Sequence, residues 1–316
     1  MSIFFPLFVF MYTSSFLLVM GGDSWFLFWL GLEINMLSFI MLIYKKGIMD
    51  IEVSLKYFFI QGVGSALLLG LVILNTSFLK EMMILVMSYK MGAGPFFFWF
   101  PSFCEGISWL SCILVMSLQK IIPLVAASMF LCSFMWVVLL LSMGLGVAGC
   151  FSEVKLKKFL AYSSVHYVGW MFLCMTSYSY LWLLYMLGYI FILGGVLISL
   201  GSDDILIIKD FLKSENPFLF FFSMLNLGGM PPLLGFFLKW WVFLSVLNLK
   251  VWLISLILIF AVSMFYMYIR LVYSILVDCK SFFLFVWEDK NLFNFKKEMS
   301  YLSGMLVSPF VGWVVL

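Results

Sequence analysis

The sequence predicts an all-α, polytopic membrane protein of about eleven transmembrane helices, and three observations carry that prediction. Of the 316 residues, 65% are hydrophobic and only 10% charged, against about 45–50% apolar and about 25% charged in ordinary globular domains. The apolar residues form continuous blocks. A membrane barrel would instead alternate at period two with polar inward positions, whereas a helix satisfies its own backbone groups in lipid. A span with its turn takes roughly 20 residues or more, so the length holds about ten or eleven. With a mean hydropathy of +1.17, a soluble chain would have too little polar surface to cover its core. Soluble-enzyme, nucleic-acid-binding and disordered classes are therefore disfavoured, and no nucleic-acid partner is expected.

The spans follow from charge, Gly or Asn at the block ends, in chain order. The first, near 3–20, stops at Gly21-Gly22-Asp23 and has no Lys or Arg, so it reads as a retained helix and not as a cleaved signal. The second, 24–44, runs from Asp23 to Lys45-Lys46. The third, 54–74, lies between Glu52 and Asn75. The fourth, 81–101, follows Lys80 and carries Gly92-Ala-Gly94-Pro95. The fifth, 107–128, follows Glu105-Gly106; the sixth, 130–149, precedes Glu153. The seventh, 155–176, opens on Lys155-Leu-Lys157-Lys158. The eighth, 179–200, ends before Gly201-Ser-Asp203-Asp204. The ninth, 217–245, opens at Pro217 and contains Pro231-Pro232. The tenth, 249–275, ends before Asp278, and a short eleventh covers 300–316. All belong to one transmembrane domain, 1–316, because the longest loops, around 201–216 and 278–299, are too short for a soluble domain.

Eleven spans put alternate loops on opposite sides. One side holds Lys45, Lys46, Lys155, Lys157, Lys158, Lys209, Lys213, Lys280, Lys290, Lys296 and Lys297; the other holds Lys80 and Lys250. The positive-inside rule assigns the rich side to the cytoplasm or mitochondrial matrix. The N-terminus is then expected there and the C-terminus opposite. The Phe and Met content and the lack of a basic leader point toward an organelle-encoded chain.

A few charges remain inside spans, each costing about 2.5–3.5 kcal/mol at a helix centre. Lys56 and Arg270 lie near span ends and can snorkel. Glu33, Lys90, Lys120 and Lys239 sit deeper and should face protein or internal water. Lys90 precedes Gly92-Ala-Gly94-Pro95, and Lys239 follows Gly228-Gly-Met-Pro231-Pro232. Proline removes a backbone donor and glycine loosens a helix, so both spans should be broken. Paired Gly/Pro-interrupted spans point to internal repeats and a midplane ion path. Buried lysines suit proton relay because desolvation and a neighbouring carboxylate pull protonation in opposite directions. The bland alternative is a set of interhelical salt bridges. Polar neighbours that could carry a water wire include Asn35, Gln61, Ser65, Gln119, Ser164, His166, Tyr167 and Asn226, with Lys56 as a further candidate. Each is also the kind of group that simply bonds helix to helix. Six scattered cysteines without a CxxC pair, one His, and no GxGxxG or P-loop predict no redox centre, metal or nucleotide in this chain.

These blocks, in this order, carry a resemblance. They are Trp29-Leu-Gly-Leu-Glu33-Ile-Asn35, Lys56-Tyr-Phe-Phe-Ile-Gln61, Lys90-Met-Gly-Ala-Gly-Pro-Phe-Phe-Phe-Trp99, Leu118-Gln-Lys120-Ile-Ile-Pro123, Lys158-Phe-Leu-Ala-Tyr-Ser-Ser-Val-His-Tyr-Val-Gly-Trp170 and Leu227-Gly-Gly-Met-Pro-Pro-Leu-Leu-Gly-Phe-Phe-Leu-Lys239-Trp240. The chain resembles the chain 2 family of mitochondrial NADH:ubiquinone oxidoreductase, the antiporter-like membrane subunits of respiratory complex I. The resemblance covers almost the whole chain. It implies a shortened antiporter-like fold with inverted repeats and two discontinuous helices. It also implies that Glu33 and Lys90 form a coupled pair, with Lys120 a central relay and Lys239 a relay of the second half-channel. Three departures stand out, one of them Glu105 where Gln is common. Phe97 replaces a usual His, and the usual His of the Tyr-Ser-Ser segment falls at Tyr167, with His166 about 100° away on a helix.

The resemblance further implies a proton-translocating subunit of the mitochondrial inner membrane, with its N-terminus on the matrix side and its C-terminus on the intermembrane side. It would assemble with sister antiporter-like chains and lipids. NADH, FMN, iron–sulfur clusters and ubiquinone would be handled by other subunits. The rival readings are a subunit of a multi-chain cation/proton antiporter and a structural membrane scaffold.

Overall fold

The computed structural model describes residues 5–22, 24–44, 48–74, 78–177, 180–200, 217–247 and 250–278. The predicted span 300–316, the loop 201–216 and most of the loop 278–299 lie outside the described residues. So do Lys45, Lys46, Lys209, Lys213, Lys280, Lys290, Lys296 and Lys297, which carry most of the charge asymmetry.

Among the described residues every regular element is helical, and most of each predicted span from 3–20 to 249–275 lies in helix. The chain divides into two compact units, Met1–Ser142 and Met143–Leu316. In the first, α1 (Phe5–Gly21) packs on α2 (Trp25–Ile43), α2 on α3 (Ile48–Leu74), and α3 on α4 (Leu79–Met91) and α5 (Trp99–Gly106). α6 (Trp109–Met116), a 3-10 turn at Leu118–Lys120 and α7 (Ile121–Met129) follow, and α7 packs against α4. The unit boundary falls within α8 (Met135–Ser152). In the second unit, α9 (Leu156–Ser177) packs on α10 (Leu181–Leu200) and α12 (Leu234–Val246), while α11 (Pro217–Gly228) packs on α10, α12 and α13 (Val251–Asp278).

Two boundaries differ from the sequence reading. Helix α3 starts at Ile48 rather than near 54. Asp50 lies in its first turn, where an acid suits the helix dipole, and Glu52 pairs with Lys56 at 2.6 Å one turn on. The charges taken as a boundary therefore belong to a helix that runs past the apolar block. The span predicted at 107–128 is interrupted by the 3-10 turn. Pro123 has no N–H for the carbonyl of Gln119, and its ring crowds that carbonyl.

The distribution of polarity suits a lipid solvent. Leu17, Phe59 and Ile73 are exposed, whereas Asn35, Lys90, Lys120, Ser164, His166, Asn226 and Lys239 are buried. Among the described residues, six helical stretches, including Trp25–Ile43, Asp50–Leu74 and Trp109–Met129, are long and apolar enough to cross a membrane.

Candidate functional site

Lys90 and Lys120 lie at helix interruptions, and Lys239 reaches back to one from within a helix. Helix α4 ends just after Lys90, where Gly92 takes the left-handed conformation (φ 64°) and donates its N–H to the carbonyls of Ser88 and Tyr89. The same break releases the carbonyl of Lys90 from helical pairing. Gln61, on α3, donates from Nε2 to that carbonyl at 2.9 Å. Trp99 Nε1 donates to the carbonyl of Tyr89 at 3.2 Å. Groups set free by the interruption are thus matched from neighbouring elements, as buried backbone groups must be.

Around Lys90 the first unit assembles a polar site. Glu33, midway along α2, accepts a hydrogen bond from Ser65 Oγ of α3, the residue after Gly64. The alkyl chain of Lys90 lies along α3 at Gly64. Lys120, fully buried at the end of the 3-10 turn, stands 4.7 Å from the centroid of the Phe100 ring. A cavity of about 20 Å³ joins the two lysines; Asn35, Gln61, Phe100 and Gln119 complete its wall with apolar side chains. That volume suits about one water molecule. The structure therefore brings Glu33, Lys90, Gln119 and Lys120 together, with Gln61 and Ser65 as their hydrogen-bonding support.

The second unit builds its site on the other interruption. Helix α11 ends at Gly228, and Gly229 (φ 90°) turns the chain back. In an unbroken helix the carbonyls of Leu227 and Gly228 would accept from residues 231 and 232. Both are prolines and have no N–H. Lys239 takes that place, donating from Nζ to Gly228 at 2.7 Å and to Leu227 at 3.4 Å. Tyr167 also donates its hydroxyl to the Leu227 carbonyl, and Lys239 Nζ stands 5.8 Å from its ring centroid. Across the same break Asn226 Oδ1 accepts the N–H of Gly235 at 2.7 Å. This substitutes for a side-chain cap on α12, whose N-cap residue is Leu233.

The remaining candidates fall elsewhere. Both nitrogens of His166 are engaged: Trp170 Nε1 donates to Nε2 at 3.0 Å, and Nδ1 faces the Met143 carbonyl at 3.3 Å. Accepting from an indole N–H requires a lone pair on Nε2, so this network assigns the proton to Nδ1 and the ring is neutral. Ser164 Oγ back-bonds to the Ala161 carbonyl at 2.7 Å. Lys56 is half exposed in its pair with Glu52. Buried tyrosines that sequence reasoning did not single out surround Tyr167. The Tyr189 ring centroid is 4.6 Å from that of Tyr167 and the Tyr185 centroid 6.2 Å. Their i, i+4 spacing on an apolar helix was the available signal, since it puts both on one face. Gly64 and Phe100 gave no signal, because their roles depend on tertiary neighbours.

Each unit thus holds a buried lysine beside a broken helix, Lys90 in the first and Lys239 in the second. A family described as NADH:quinone oxidoreductase/Mrp antiporter, TM, matches residues 71–265. NADH-ubiquinone oxidoreductase chain 2 of Anopheles gambiae is 33% identical over 98% of this chain and 96% of its own length. The chain belongs to the NADH-ubiquinone oxidoreductase chain 2 family. Members of this family are antiporter-type membrane subunits of respiratory complex I, and this chain is accordingly a multi-pass membrane protein. A chain of respiratory complex I from Thermus thermophilus, solved with bound aureothin, shares the fold. Its TM-score is 0.81 at 21% identity, covering 98% of this chain and 79% of that one. The Mrp complex from Dietzia sp. DQ12-45-1b is a more distant likeness, with a TM-score of 0.66 at 16% identity over 78% of this chain and 55% of that one. The interruption between α6 and α7 bears Lys120.

Proposed function

We propose that this chain moves protons across the membrane as part of complex I, in the mitochondrial inner membrane. The N-terminus faces the matrix and the C-terminus the intermembrane space. Electron transfer from NADH to ubiquinone, with its FMN and iron–sulfur clusters, belongs to other subunits. Sister antiporter-like chains and lipids cover the exposed apolar faces. The observation that carries the reading is the placement of two buried lysines, Lys90 and Lys120, on one water-sized cavity.

The chemistry follows from desolvation. An ammonium removed from water is costly, and a carboxylate beside it offsets that cost. When Glu33 approaches Lys90, the lysine holds its proton. When Glu33 withdraws, the proton is released toward Lys120. Lys239 performs the corresponding step in the second unit, with two backbone carbonyls in place of a carboxylate. Carrying one charge against the membrane potential costs about 2.3 kcal/mol per 100 mV, which several shallow sites meet better than one deep one. His166, satisfied on both nitrogens, acts as a hydrogen-bonded part of the core.

The antiporter reading has behind it a family description that names both classes and a fold likeness at 16% identity, against a chain 2 relative at 33% identity over nearly the whole chain. A scaffold whose charges merely pair is separated from a relay by substitution. In assembled complex I, Glu33→Gln and Lys90→Met each lower the protons moved per NADH oxidised. Wild-type pumping at wild-type rate in both variants sinks the relay.

A further inference from the structure

We propose that the exposed groove between α3 and α4 binds one phospholipid, with an acyl chain lying along the groove and the headgroup at its mouth beside Lys80. Such a site is independent of the proton relay. The groove holds about 620 Å³. It is lined on α3 from Val63 to Leu74 and on α4 from Met82 to Tyr89, and Phe96 closes it. Among the described residues no charged side chain lines it. Leu67, Leu74 and Met82 are exposed along it, so in a membrane it opens toward hydrocarbon. Gly70 gives it depth, because a Cβ there would meet nothing within 4 Å.

Length identifies the occupant. At about 1.5 Å of rise per residue, the lining from Val63 to Leu74 runs about 16 Å. Half of a hydrocarbon core of about 30 Å is about 15 Å. Val63 lies near the middle of the membrane-crossing stretch Asp50–Leu74, so the groove extends from one membrane surface to the midplane and stops. Its inner end is shut by the Phe96 ring, which meets the Tyr89 ring edge-on with centroids 5.6 Å apart. A partner's transmembrane helix crosses both leaflets in roughly 20 residues and would run into this ring pair halfway. An acyl chain occupies one leaflet and ends where the groove ends. Charge is placed to match a phospholipid. The groove carries none, while Lys80 and Glu81 stand in the first turn of α4 at its mouth. Lys80 is exposed and forms no ion pair among the described residues. An ammonium at the membrane surface suits a phosphate, and the carboxylate next to it suits the amine of a zwitterionic headgroup. The inner end of the acyl chain then packs on Tyr89, beside the break that ends α4.

The test uses assembled complex I released from its own membrane in polymer-bounded discs, with no lipid added. A cryo-EM map should show one unbranched chain of density from Leu74 and Met82 to Phe96, with headgroup density beside Lys80. Native mass spectrometry should count one phospholipid fewer per complex in Gly70→Leu, whose side chain enters the groove where the Cβ has open space. Lys80→Gln should keep the density but weaken retention of that phospholipid by about fivefold on dilution into detergent. A helix of another subunit in the groove, an empty groove, or an unchanged lipid count and density in Gly70→Leu overturns the site. Density seen only in detergent-purified complex marks an adventitious additive only and overturns it as well. Unchanged retention in Lys80→Gln overturns the placement of the headgroup. If Gly70→Leu does not assemble, the wild-type map in native lipid decides between acyl chain, helix and empty groove.

Discussion

Lys239 Nζ donates to the carbonyl of Gly228 at 2.7 Å, in the position that the N–H of residue 232 would hold in an unbroken helix. Pro232 cannot supply that donor, so the lysine and the proline form one device. Lys239→Met leaves the Gly228 carbonyl buried without its donor, at a cost of about 1–3 kcal/mol. The expected result is a lower thermal midpoint for the assembled complex together with loss of coupling. Pro232→Ala restores an N–H that competes for the same carbonyl. It should release Lys239, so that coupling falls while stability holds or rises. Unchanged proton stoichiometry in Pro232→Ala would count against a working role for the Lys239–Gly228 bond.

His166 gives a prediction of the opposite kind. Its ring accepts from Trp170 and faces the Met143 carbonyl, so both nitrogens serve the packing of the second unit. His166→Phe leaves the Trp170 indole N–H buried and unpaired, which destabilises by about 1–3 kcal/mol. Once assembled, the variant should move as many protons per NADH as the wild type. The pair of measurements is the thermal midpoint and the proton-to-electron ratio. A lowered ratio at unchanged midpoint would make His166 a carrier after all.

Lys56 should matter least. Its pair with Glu52 is half exposed, with the acid four residues N-terminal to the base, the favourable order on a helix. Exposed pairs of this type contribute about 0.3–0.5 kcal/mol. Lys56→Gln should shift stability by no more than that and leave proton pumping as it is. A clear drop in pumping would place Lys56 on the path.

The helices were legible because a span in lipid demands little beyond an apolar run of sufficient length. The breaks at Gly92–Pro95 and Gly229–Pro232 were legible too, since glycine and proline act locally. The interruption at Leu118–Lys120 was not. Pro123 is the third residue of α7, a position where proline is tolerated at a helix start. Whether the preceding turn tightens depends on what receives the Gln119 carbonyl. Candidate residues could be named from charge out of place. Their partners could not: Glu33 with Ser65, Lys90 with Gln61 and Tyr167 with Leu227 are separated by 29 to 60 residues, and no periodicity encodes such a pairing.

Gly64 offers the sharpest separation of function from stability. A Cβ there would fall 2.9 Å from Cγ and 3.0 Å from Cε of Lys90, inside van der Waals contact. The obstructing atoms are side-chain atoms of Lys90, so the first group that Gly64→Ala displaces is the lysine side chain. Alanine also favours the interior of α3 by about 1 kcal/mol relative to glycine. Stability should therefore hold or rise slightly. Lys90, however, is pushed off the seat beside α3 from which it lines the cavity shared with Lys120. A misplacement of about 1 Å at a transfer site costs on the order of a hundredfold in rate. The expected outcome is an assembled complex with an undiminished thermal midpoint, intact oxidation of NADH by an artificial acceptor, and strongly reduced proton-coupled turnover. Wild-type turnover in Gly64→Ala would mean that the position of Lys90 along α3 is not what sets the rate of its proton transfer.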